Sequence, residues 1–162
     1  MIFILLSVYN VYLKKWPLIG NLLVAFTVSL AIYIPISILK PHILSDTHFQ
    51  FLLMMAFLST LIRELVKDME DQSVDRKFGY QTLPIINLKL SKIIFIILIN
   101  LIWLIMFSYQ VFFQPTTYKI LLFIISLLLI FSLIKVYQNQ YETATKLIKL
   151  LMLIGIFSIF II

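Results

Sequence analysis

Five long apolar runs, separated by short polar connections, set the pattern of this chain. They are Leu18 to Leu39, Phe49 to Leu65, Ile93 to Phe113, Tyr118 to Val136 and Leu147 to Ile162. A helix needs about 20 mostly apolar residues to cross a bilayer. The second and fifth runs are short, but the second can continue as a water-exposed turn or two into the polar stretch that follows. Pro41, Pro84 and Pro115 punctuate the connections, Pro35 is expected to kink the first run, and Trp16 and Tyr118 stand where interfacial aromatics are common. The pattern predicts an all-α, polytopic transmembrane helical bundle, one domain over residues 1–162, with five full spans. An apolar segment, Met1 to Leu13, precedes them. At 1.5 Å per residue it covers about 20 Å of a ~30 Å hydrocarbon core, so it reads as half a helix. That length predicts either a start upstream of Met1 or a remnant of a longer gene.

Composition agrees with the pattern. The chain is 62% hydrophobic and 12% charged, where soluble domains carry roughly 25% charged residues. An integral membrane protein is the class this fits. The net charge of +6 does not point to nucleic acid, because the basic residues flank apolar runs and report topology instead. Counted between successive apolar segments, Lys and Arg number 2, 1, 6, 1, 3 and 0. The positive-inside rule then predicts a cytoplasmic loop over residues 63–92 and an external Ile162. Cysteine is absent, so disulfides and thiolate metal sites are excluded.

Candidate chemistry lies in that cytoplasmic loop. Of seven acidic residues, five (Glu64, Asp68, Glu70, Asp71 and Asp75) fall within twelve positions. Glu64, Asp68, Asp71 and Asp75 are spaced 4, 3 and 4, which aligns them on one face if the helix continues past Leu65. Carboxylates stacked in this way repel one another, and a hard divalent cation would relieve the repulsion. Mg2+ usually takes one or two carboxylates and completes its shell with water and phosphate oxygens. Spacing alone is equally compatible with a solvated loop, in which Arg63, Lys67, Arg76 and Lys77 form exchangeable surface pairs worth roughly 0 to 1 kcal/mol.

The residue identities narrow the choice. Asp71-x-x-x-Asp75, preceded by Arg63, Lys67 and Asp68 and followed by Gly79-x-x-Thr82-Leu83-Pro84, resembles the second Asp-rich motif of the UbiA-type intramembrane prenyltransferases. The run YNVYLKKWPLIGN, residues 9–21, resembles the segment joining that family's fourth and fifth helices. The branch most resembled is geranylgeranylglycerol-phosphate geranylgeranyltransferase (digeranylgeranylglyceryl phosphate synthase). The resemblance covers essentially the whole chain and implies the C-terminal part of a nine-helix fold: the last five helices and half of the fourth. It implies catalytic and metal-binding roles for Asp71 and Asp75, a further metal contact at Asp68, diphosphate contacts from Arg63 and Lys67, and a cavity-lining place for Asn21. It also implies Mg2+, a polyprenyl diphosphate and a membrane-associated acceptor, of glycerol-phosphate or aromatic type. The family's first motif, N-x-x-x-D-x-x-x-D, is absent, and Asp46 and Glu142 are the only acids outside the cluster.

Three functions follow. The first is an enzyme fragment that transfers a prenyl group once a missing N-terminal half is supplied. The second is a non-catalytic remnant, or one half of a split enzyme whose other half is separately encoded. The third, a transporter or channel subunit, requires ionisable residues at mid-membrane depth, and the predicted span interiors hold none. Asn100 and Gln110, polar residues within spans, can line a site or hydrogen-bond between helices. His42, Asp46 and His48 are expected to form a short polar connection rather than a metal site.

Overall fold

The computed structural model describes residues 17–112 and 116–158. Met1 to Leu13, Trp16, Pro115 and the end of the fifth apolar run lie outside the described residues. Within them the chain forms α1 (Ile19–Leu39), a 3-10 turn (Pro41–Ser45), α2 (Thr47–Glu70), α3 (Gln72–Lys77), α4 (Leu83–Ile86), α5 (Leu88–Phe112), α6 (Thr116–Tyr137) and α7 (Tyr141–Ser158). Four of these, α1, α2, α5 and α6, are long and apolar enough to cross a membrane. The described part of the fifth run falls in α7, whose first half carries Glu142, Lys146 and Lys149. Pro35 sits inside α1 without ending it.

Helix α2 is the centre of the bundle and packs against α1, α5 and α7, while α6 packs chiefly on α7. Each neighbour presents a buried stripe at helical spacing. On α5 it is Ser91, Phe95, Ile99, Ile102, Met106 and Tyr109; on α6 it is Leu122, Ile125, Leu129, Ser132 and Val136. On α1 the buried positions Asn21, Ala25 and Ser29 recur every four residues. Small side chains of this kind let two membrane helices approach closely. Hydroxyls and amides within the spans bond to their own helix, as in Ser29 Oγ to Ala25 O (3.0 Å), Thr60 Oγ1 to Ala56 O (2.7 Å) and Ser126 Oγ to Leu122 O (2.8 Å). This satisfies them where no water is available. Asn100 does the same, donating to Ile96 O at 2.8 Å.

Polar contacts tie the helix ends and fix their antiparallel order. At one end Asn21 of α1 meets Asp68 of α2, Thr145 of α7 donates to Glu70 at 2.7 Å, and Lys92 of α5 donates to Asn139 in the α6–α7 turn at 2.7 Å. At the opposite end Asp46 caps α2 by accepting from His48 N at 3.0 Å. There the His48 ring also hydrogen-bonds the Tyr109 hydroxyl of α5, and Phe51 stacks on Tyr109 at 3.9 Å. The polar connection expected at His42 to His48 is therefore a helix cap and an interhelical tie.

Candidate functional site

The acidic stretch is not the water-exposed extension its charges suggest. Helix α2 runs on to Glu70, and Leu65, Val66 and Met69 in this extension are fully buried. They carry the apolar stripe of α2 past its last membrane residues, so the extension packs instead of projecting into water. The helix breaks at Asp71 and resumes as α3, so Glu64, Asp68, Asp71 and Asp75 do not share one unbroken helical face. The break is slight: Asp71 N still donates to Lys67 O, and Val74 N and Asp75 N both bond to Asp71 O at 2.9 Å.

Each candidate side chain has a distinct setting. Glu64 is buried and takes the Arg63 guanidinium. Lys67 is exposed, whereas Asp68 and Asp71 are half-buried. Asp68 Oδ2 accepts a 2.8 Å hydrogen bond from Nδ2 of Asn21. Asn21 is itself only 6% exposed, so the family-like run before α1 and the acidic cluster 47 residues later meet through these two side chains. Asp75 is buried, at 4% exposure. Its carbonyl accepts from Tyr80 N at 3.0 Å, closing a turn in which Gly79 adopts φ 71°. That left-handed geometry favours glycine, and it returns the chain to α4 with Pro84 in the first turn.

Thr82 stands at the N-cap of α4 but makes no capping bond. Its hydroxyl is buried and has no hydrogen-bond partner among the described residues. A buried, unpaired hydroxyl is uncommon, because it costs about 1–3 kcal/mol. At the same end Lys146 bonds Glu142 at 2.6 Å on the exposed face of α7. That bond holds the Glu142 carboxyl below its ordinary range, and Glu142, with a lesser contribution from Glu70, raises the Lys146 ammonium above its own.

Among the described residues no three His, Asp or Glu side chains converge as a set that could hold a metal ion. Asp68, Asp71 and Asp75 are gathered at one end of the bundle, but they do not form a closed carboxylate cage.

An apolar cavity of about 280 Å³, walled by α1, α2, α6 and α7, lies in the half of the bundle away from this end. Its lining includes Ile32, Phe49, Met55, Ile125, Met152 and Gly155, and none of its described lining residues is ionisable. Along α2 the wall extends from Phe49 to Thr60, about 16 Å of helix. On α2 the wall ends one turn before Arg63 and eight residues, about 12 Å of helix, before Asp68. Phe49 and Thr60 thus mark the two ends of an apolar shaft that stops short of the acidic cluster.

The whole-chain comparison decides the assignment: the family model for UbiA prenyltransferases matches residues 1–157. The chain belongs to the UbiA prenyltransferase family. This UbiA chain is 32% identical over 163 residues to the digeranylgeranylglyceryl phosphate synthase of Methanosphaera stadtmanae, a match covering 98% of the chain and 57% of that protein. The like-named enzyme of Methanobrevibacter smithii is 31% identical over 153 residues, covering 91% of the chain and 53% of the relative. That of Methanothermobacter thermautotrophicus is 41% identical over 83 residues, covering 50% and 28% respectively. The chain spans little more than half the length of the first of these relatives. No solved structure matches it. Membership of this membrane family and the four apolar helices make it an integral membrane protein.

Two features of this end of the bundle are not legible from residue spacing. Glu70 was one acid among five, and its tie to Thr145 crosses 75 residues with no local signal. Thr82 stood inside a quoted motif, yet a Thr before Leu-Pro reads as an ordinary cap until its hydroxyl is found unpaired.

Proposed function

We propose that this chain is the C-terminal part of a Mg2+-dependent prenyltransferase, which moves a polyprenyl group from its diphosphate to a glycerol-phosphate-type acceptor in the membrane. The observation that supports this reading is an apolar cavity whose α2 wall ends one helical turn before Arg63, with the acidic cluster following on the same helix and the short helix after it. An amphiphile with an isoprenoid tail and a diphosphate head has the same division.

Asp71 and Asp75 would hold the metal, with Asp68 as a further contact, and Mg2+ when bound would neutralise charge developing on the leaving group. Arg63 and the exposed Lys67 bind diphosphate oxygens, and the buried Thr82 hydroxyl donates to the head group. Asn21 keeps Asp68 oriented by occupying one of its oxygens. The cavity excludes water from the allylic carbon. The C–O bond to diphosphate breaks with its electron pair leaving on oxygen, the acceptor hydroxyl oxygen bonds to the allylic carbon, and the hydroxyl proton is released. The acidic end faces the cytoplasm, in keeping with the Lys and Arg bias of its loops.

The second reading, a non-catalytic remnant or one half of a split enzyme, has its own observation. Both acids outside the cluster serve elsewhere, Asp46 as the cap of α2 and Glu142 as the partner of Lys146. Neither supplies a first Asp-rich motif. The readings separate in membranes given labelled geranylgeranyl diphosphate, Mg2+ and a glycerol-phosphate lipid, with and without an N-terminal half added as a second polypeptide. Turnover only with the added half supports the split form, and turnover by the 162-residue chain alone makes that half dispensable. No turnover in either arm supports the remnant.

A further inference from the structure

A second cavity, of about 300 Å³, lies between α5 and α6. Helix α6 starts at the end of the bundle where α5 finishes, so this cavity sits at the end opposite the acidic cluster. Its walls are Trp103, Met106 and Phe107 of α5 and Leu122 and Phe123 of α6, with Lys119 beside them. The two helices touch along only part of their length, which leaves the groove open on the outside of the bundle. Phe107 and Phe123 are 67% and 64% exposed. The remaining polar lining residue, Ser126, spends its hydroxyl on Leu122 O.

Lys119 is therefore the only charged side chain among the described residues that line the groove. It is exposed and forms no ion pair with a described residue. It lies in the first turn of α6, and the groove continues from it to the level of Ser126, about 10 Å deeper along the helix. A cation at the rim of an apolar groove between two membrane helices matches a lipid with an anionic head group and a hydrocarbon tail. We propose that the α5–α6 groove binds an anionic phospholipid, its phosphate on the Lys119 ammonium and one acyl or isoprenyl chain against Trp103, Phe107 and Phe123. This groove shares Leu122 with the cavity walled by α1, α2, α6 and α7 but lies between α5 and α6, and it does not depend on the proposed prenyl transfer.

The protein contains two tryptophans, Trp16 and Trp103, so Trp16→Phe leaves Trp103 as a single fluorescent reporter beside the site. That variant is placed in vesicles of phosphatidylcholine in which a small fraction of either phosphatidylglycerol or phosphatidylcholine carries bromine on its chains, a short-range quencher. The proposal expects brominated phosphatidylglycerol to quench Trp103 about fivefold more effectively at equal mole fraction, and Lys119→Gln to abolish the difference. Equal quenching by the two lipids would overturn it, since Lys119 would then be only an interfacial anchor. Absence of quenching by either would overturn it too, because the groove would be covered by protein. A preference for phosphatidylglycerol that survives Lys119→Gln would move the recognition to another residue and contradict the assignment.

Discussion

Two side chains at the acidic end, Asn21 and Thr82, separate structural from ligand-binding roles. Asn21 and Asp68 form a part-buried interhelical contact at 2.8 Å, and removing the donor costs the carboxylate that bond. Asn21→Leu should therefore destabilise the bundle by about 1–3 kcal/mol, read as earlier denaturation in bicelles. Asp68→Asn in the same background should be less than additive, because the two substitutions remove one contact. Thr82→Val should behave in the opposite way. Its hydroxyl has no described partner to lose, so the valine variant should melt at or slightly above the wild-type temperature. If the hydroxyl serves the diphosphate, the same variant should bind a prenyl diphosphate about tenfold more weakly. A fall in melting temperature with unchanged binding would make Thr82 purely structural.

The elements show where local chemistry is enough to predict structure and where it is not. The turn from α3 to α4 depends on Gly79 at φ 71°, with nothing within 4 Å of the place a Cβ would occupy. Gly79→Ala should thus cost about 1–2 kcal/mol of backbone strain without any clash, measured by denaturation, and should also weaken ligand binding by shifting Asp75 and Thr82 together. The first four apolar runs could be read from sequence because a membrane demands long uninterrupted helices, and predicted and observed bounds differ by only a few residues in α1 and α6. The end of α2 could not be read in this way. Charge density predicted solvation there, but Leu65, Val66 and Met69 provide enough apolar surface to bury the extension among α4, α5 and α7. The spacing of the acids was visible, whereas the break at Asp71 and the burial of Asp75 arise from packing that no local pattern encodes. Asn21 stood out as a candidate from its sequence neighbourhood, but its partner Asp68 was not legible, because the contact joins distant parts of the chain.

At the scale of the whole molecule, the bundle holds an apolar shaft in one half and the charged cluster at the opposite end, joined along α2. Gly155 of α7 lines the shaft, and open space surrounds its missing Cβ. Gly155→Phe should fill part of the 280 Å³ cavity and shorten the tail it can accept. The expected result is a loss of binding for a twenty-carbon prenyl diphosphate with a ten-carbon one retained, compared by competition on the same membranes. Equal loss for both would indicate a disturbed bundle, and equal retention would place the tail elsewhere.

The pairing of shaft and charged cluster is tested most directly by equilibrium binding of a slow-leaving thiolo analogue of geranylgeranyl diphosphate to the chain in nanodiscs, with and without Mg2+. Wild type is predicted to bind in a Mg2+-dependent manner, and Asp71→Asn and Asp75→Asn should each weaken that binding at least about tenfold while leaving insertion and melting nearly unchanged. Binding that is indifferent to Mg2+, or equal in all three proteins, would contradict the account.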